Sequence, residues 1–101
     1  MKRTDYEQYV KEQCKDYVTE PYLVIAINEE AGEIAGWYKK FVLRGNPTGK
    51  LGLNDLKGEI GDCLFYLTRL AQMNGWSIDT IMEHNVSKLD DRRAKGMRSM
   101  A

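Results

Sequence analysis

Two short runs of acidic residues stand out: Glu29-Glu30-Ala31-Gly32-Glu33 and Glu59-Ile60-Gly61-Asp62. In each, carboxylates recur three residues apart, a spacing that stacks them on one face of a helix. Grouped carboxylates hold a hard cation through oxygen or move protons. All-oxygen ligation suits Mg²⁺ first and Mn²⁺ second, and makes zinc a poor fit. Di-iron bundles need a histidine three residues after a ligating glutamate, and the sole histidine, His84, follows neither Glu30 nor Glu59 at that distance.

Whether the acids meet depends on the elements that carry them. The spacing predicts four helices and an all-α fold. Tyr6, Val10, Cys14 and Tyr17 recur at helical intervals over Thr4 to Val18. Pro21, with Thr19 or Glu20 as cap, opens a second helix over Pro21 to Leu43. Gly32 and Gly36 interrupt it, which close approach of another helix would explain. Arg44 to Gly52 has the glycine and proline content of a loop. Asn54 then caps a third helix that Asn74-Gly75 ends, and Ser77 caps a fourth from Ile78 to Arg93. The tail from Ala94 to Ala101 is expected to fray.

On a helical projection of about 100° per residue, Glu30 and Glu33 border the stripe of Leu23, Ile27, Ile34 and Phe41, with Glu29 further out. Glu59 and Asp62 border the stripe of Leu56, Ile60, Cys63, Leu64, Leu67 and Leu70. If the stripes pack together, Glu30, Glu33, Glu59 and Asp62 converge and repel one another unless a cation neutralises them. A single acidic pair is ordinary helix surface. Two pairs beside apolar stripes on neighbouring helices favour a metal site.

Bulk properties narrow the class. The 101 residues allow one modest core and a single domain over 1–101, with the motifs in about 21–96. Apolar residues at 43% and charged residues at 30% exclude a disordered chain. Fifteen basic side chains balance fifteen acidic ones, so no global field favours nucleic acid or an anionic membrane. No apolar run reaches the ~20 residues of a membrane span. Two distant cysteines suggest neither a disulfide framework nor a zinc site, and a cytoplasmic setting is expected. The helices carry apolar residues over a wider arc than one small monomer covers, so oligomerisation is expected to complete the bundle.

With these motifs the sequence resembles the MazG-like members of the all-alpha nucleoside triphosphate pyrophosphohydrolase superfamily. Their signature is E-E-x-x-E followed, after a variable loop, by E-x-x-D. The segment from Gly58 to Ala71 is similar as well, and Asn85-Val86-Ser87-Lys88-Leu89-Asp90-Asp91-Arg92 matches a third element. The resemblance implies hydrolysis of a nucleoside triphosphate between its α- and β-phosphates, giving a monophosphate and pyrophosphate, and a homodimer or homotetramer. Glu30, Glu33, Glu59 and Asp62 would hold Mg²⁺, and Glu29 and Glu30 are the candidate catalytic carboxylates, Glu29 either as the base for water or as a ligand to a further metal.

Asn85, Lys88 and Arg92 share one face of the fourth helix and are suited to grip pyrophosphate. The competing reading makes the two cations a solvated helix end. Trp37 lies on the side of Glu30 and Glu33 and is the preferred base-stacking residue, ahead of Tyr38, Tyr66 and Trp76. Lys39, Lys40, Arg44 and Lys50 are further candidate cations. A rival from another class is a non-catalytic helical interaction module. Within the superfamily, dUTP and phosphoribosyl-ATP pyrophosphohydrolases share the acidic core.

Overall fold

The computed structural model describes residues 1–45 and 49–96, without the side chains of 49–51. The described residues form four α-helices and no strand: α1 (Arg3–Gln13), α2 (Glu20–Tyr38), α3 (Gly49–Met73) and α4 (Ile78–Ala94). A single π-helical turn, Lys39–Leu43, extends α2. The helical stretch from Glu20 to Leu43 therefore matches expectation, with its last turn widened so that Arg44 N–H donates to the Lys39 carbonyl at 3.0 Å. The loop residues Asn46, Pro47 and Thr48 and the tail beyond Gly96 lie outside the described residues.

Local capping chemistry sets most helix ends. Tyr22 N–H donates to Thr19 Oγ1 at 3.4 Å, making Thr19 the cap of α2, and Thr80 N–H donates to Ser77 Oγ at 3.1 Å at the start of α4. Gly75, at φ 78°, ends α3. Trp76 N–H reaches the Ala71 carbonyl and Gly75 N–H the Gln72 carbonyl, the paired bonds of a left-handed C-terminal cap.

Two boundaries differ from expectation. α1 stops at Gln13, and Cys14 turns extended. The chain then doubles back, and Tyr17 meets Tyr22 edge to face at 5.9 Å. α3 begins at Gly49 rather than after Asn54. Gly52, read above as loop chemistry, is buried within that helix. A Cβ there would lie 2.8 Å from the Phe41 ring, and the Trp37 indole N–H donates to the Gly52 carbonyl. The missing side chain lets the start of α3 pass close to the end of α2. Gly32 and Gly36 do not serve this purpose among the described residues, for none of these lies within 4 Å of a Cβ built on either.

α2 and α3 form the principal helix pair, and α1 crosses α3. Val10 of α1 and Leu23 of α2 are fully buried, with Ala26, Thr68 and Ala71 beside them. Thr68 satisfies its hydroxyl on the Leu64 carbonyl at 2.6 Å. α1 also clasps the start of α4: Ile78 N–H donates to Glu7 Oε2 at 3.0 Å, and Arg3 pairs with Asp79 at 2.6 Å on the surface.

The covered part of the α3 stripe is smaller than the sequence suggests. Ile60, Leu64 and Leu67 are about half exposed, as are Val24 on α2 and Ile81 and Val86 on α4, and Ile25 on α2 is more exposed still. The radius of gyration is 16.4 Å, against roughly 13 Å for a compact domain of this length. One chain leaves much of its apolar surface in water.

Candidate metal centre

Glu59 and Asp62, three residues apart, share one face of α3, and Glu30 approaches from α2. One carboxylate oxygen from each lies within 4.8 Å of the other two. Glu30 and Glu59 are half-buried and Asp62 is exposed. Glu33 stands outside this trio, yet its charge raises the pKa of both Glu30 and Glu59. Glu29 is exposed and acts on Glu30 alone.

The electrostatics follow from crowding like charges. The Glu30 carboxyl is held above its ordinary value first by partial loss of water, then by Asp62, Glu59, Glu33 and Glu29. Glu59 is raised by partial loss of water, then by Glu33, Asp62 and Asp55. No Lys or Arg among the described residues forms an ion pair with the trio. Each proton or cation brought to the cluster relieves that repulsion.

The donor set fits a small hard cation. Octahedral Mg²⁺ binds oxygens at about 2.1 Å, which puts adjacent ligands about 3 Å apart and opposite ones about 4.2 Å. The three carboxylate oxygens, within 4.8 Å of one another, are an all-oxygen donor set of the kind such an ion takes.

Three further side chains border the acids. Cys63, next to Asp62, has its thiol raised by burial, then by Glu30, Asp62 and Glu59. Tyr66, one turn beyond Asp62, is raised by burial, then by Tyr22, Glu30, Asp62 and Tyr17. Tyr6 of α1 is raised by burial, then by Tyr9 and Asp62. Helical spacing from Asp62 makes Cys63 and Tyr66 legible in sequence, and Tyr66 was among the aromatic candidates. Tyr6 reaches the cluster by the crossing of α1 over α3, which no local pattern reports.

The remaining candidates lie elsewhere. Trp37 is half-buried at the α2–α3 junction, its ring tilted on Phe41 at 5.8 Å and its N–H spent on Gly52. Asn85 and Lys88 are exposed and Arg92 half-buried on α4, a helix with no fully buried residue. Among the described residues no hydrogen bond or ion pair joins these three to the carboxylate trio. Lys39, Lys40 and Arg44 are exposed, with Lys40 Nζ 5.2 Å from the Phe41 ring centroid. The side chain of Lys50 lies outside the described residues.

Fold and site together define a small all-helical protein whose central helix pair presents an acidic, cation-ready cluster. The family described as the MazG nucleotide pyrophosphohydrolase domain matches residues 19–97, and the chain belongs to that family. It is also similar to the Gene 37 protein of Mycobacterium phage L5, at 32% identity over 78 residues that cover 75% of this chain and 68% of the relative. No solved structure matches the chain. Among the described residues no helix is long and apolar enough to cross a membrane.

Proposed function

We propose that the chain is a Mg²⁺-dependent pyrophosphohydrolase that cleaves a ribo- or deoxyribonucleoside triphosphate between its α- and β-phosphates. The observation that carries the reading is the trio of Glu30, Glu59 and Asp62, drawn from two helices, within 4.8 Å and, among the described residues, without an ion pair to a cationic side chain.

Glu30, Glu59 and Asp62 would hold Mg²⁺, with Glu33, whose charge acts on Glu30 and Glu59, as the fourth expected ligand. Bound there, the ion would supply stabilisation of the charge growing on the phosphate oxygens. Glu29, the solvated acid beside Glu30, accepts a proton from the attacking water as its oxygen bonds to phosphorus and the bond to the leaving pyrophosphate breaks. Asn85, Lys88 and Arg92 hold that pyrophosphate. Among the described residues no hydrogen bond or ion pair ties them to the trio, and they would reach it across an interface between copies. A homodimer or homotetramer that covers the exposed residues of α3 and α4 supplies that interface.

Purified protein incubated with each nucleoside triphosphate, dUTP and phosphoribosyl-ATP included, should release pyrophosphate and not orthophosphate with Mg²⁺, and nothing with EDTA. A helical interaction module would release neither product from any of them.

A further inference from the structure

A second polar concavity lies where α1 crosses the end of α3 and the α3–α4 turn. Its volume is about 350 Å³, and its walls include Glu7, Lys11, Arg69, Gln72, Trp76 and Ser77. Arg69 sits seven residues beyond Asp62, which is about 10 Å further along the α3 axis. The concavity is therefore separate from the carboxylate trio.

The polar groups around Arg69 are only partly satisfied. Arg69 Nη1 donates to Gln72 Oε1 at 3.2 Å, and Gln72 Nε2 donates onward to the Glu7 carbonyl at 2.7 Å. Arg69 Nε is shut off from solvent and has no hydrogen-bond partner among the described residues. No carboxylate forms an ion pair with Arg69 or Lys11 among those residues. Glu7, the one acid in the wall, commits an oxygen to Ile78 N–H at the start of α4. The wall thus carries two cations against one engaged anion. A planar guanidinium with an ammonium nearby is suited to tetrahedral oxyanions.

We propose that this concavity binds an oxyanion of the phosphate class, held by the Arg69 guanidinium and the Lys11 ammonium. The ligand chemistry is shared by orthophosphate, pyrophosphate and a phosphomonoester group on a larger molecule. The volume exceeds what a bare phosphate fills, and the Trp76 indole offers an apolar wall for the body of an ester. Because Lys11 belongs to α1 and Arg69 to α3, an occupant fastens the N-terminal helix, which precedes the family-matched residues 19–97, to the rest of the chain. The site does not rest on the proposed catalysis.

The test uses the full chain in chelator-treated, metal-free buffer at fixed ionic strength, with Lys88→Gln and Arg92→Gln introduced to remove the other proposed phosphate contacts. Orthophosphate, pyrophosphate, glycerol phosphate and acetate are titrated separately by calorimetry, with melting temperature followed in parallel. Saturable binding of at least one phosphate compound, with a dissociation constant on the order of 1 mM and a raised melting temperature, is expected. Arg69→Gln and, separately, Lys11→Gln should each weaken it about tenfold or more. Among the described residues the Lys11 side chain makes no hydrogen bond or ion pair, so its variant reports binding even if Arg69→Gln disturbs folding. No saturable phosphate binding, or binding that Lys11→Gln leaves unchanged, would overturn the proposal, as would equal affinity for acetate. With neither metal nor turnover in the assay, these outcomes are independent of the catalytic reading.

Discussion

The α2–α3 pair and α4 carry the two halves of the motif set under opposite physical conditions. The pair is built on Leu23, Ala26 and Ala71, and its packing brings Glu30 to Glu59 and Asp62. α4 has no fully buried residue and a run of exposed apolar side chains. It packs on α3 and is tied to α1 through Arg3–Asp79 and the Glu7 contact. Packing inside one chain therefore gathers the acidic half, while among the described residues no hydrogen bond or ion pair ties Asn85, Lys88 or Arg92 to it.

Substitutions that change charge without changing shape separate the halves most strongly. Glu30→Gln or Asp62→Asn should lower Mg²⁺-dependent turnover by about 100-fold or more, since each removes a ligand to the ion that carries most of the charge stabilisation. Helicity by circular dichroism should be unchanged. Full activity in either variant would remove that residue from the site.

Packing contrasts the two regions next. Leu23→Ala should cost about 2–5 kcal/mol of unfolding free energy, because a fully buried leucine leaves a cavity. Val86→Asp on α4 should instead dissociate the assembly, read by sedimentation, with little loss of helix in the dissociated chain. An unchanged oligomeric state would place the interface away from α4.

Glycines sharpen the same comparison. Gly52→Ala drives a methyl into the Phe41 ring and should destabilise by about 1–3 kcal/mol. Gly32→Ala has open space around it and should stabilise the helix by about 0.5–1 kcal/mol in the monomer. A loss of stability in the assembled protein would mean that another copy packs on Gly32.

The smallest effect is electrostatic. Glu30 and Glu59 have folded-state pKa values above the ordinary 4.5, so the folded chain binds their protons more tightly than the unfolded chain does. Their contribution is destabilising above the folded values and fades as pH falls through them toward the ordinary value. The metal-free protein should then melt at a higher temperature relative to a Glu30→Gln/Glu59→Gln variant as pH drops through that window. Saturating Mg²⁺ should reverse the trend, because protonation competes with the ion.

The sequence revealed what short-range chemistry controls. Thr19, Ser77 and Gly75 mark helix ends through bonds to residues one turn away, and the three-residue spacing of Glu59 and Asp62 needs only a helix to become a face. Contacts between distant segments were not legible. Gly52 has the composition of a loop and the role of a crossing point, because Phe41 and Trp37 lie over it. Tyr6 borders the carboxylates only because α1 crosses α3. The α3 stripe is longer in sequence than in burial, since residues such as Ile60 and Leu64 stay about half exposed among the described residues.

The most direct measurement is pyrophosphate release from a panel of nucleoside triphosphates by the wild-type chain, with Mg²⁺ and then with EDTA. The account predicts stoichiometric pyrophosphate and nucleoside monophosphate from at least one substrate, abolished by the chelator. Absence of metal-dependent pyrophosphate from every nucleotide would contradict it.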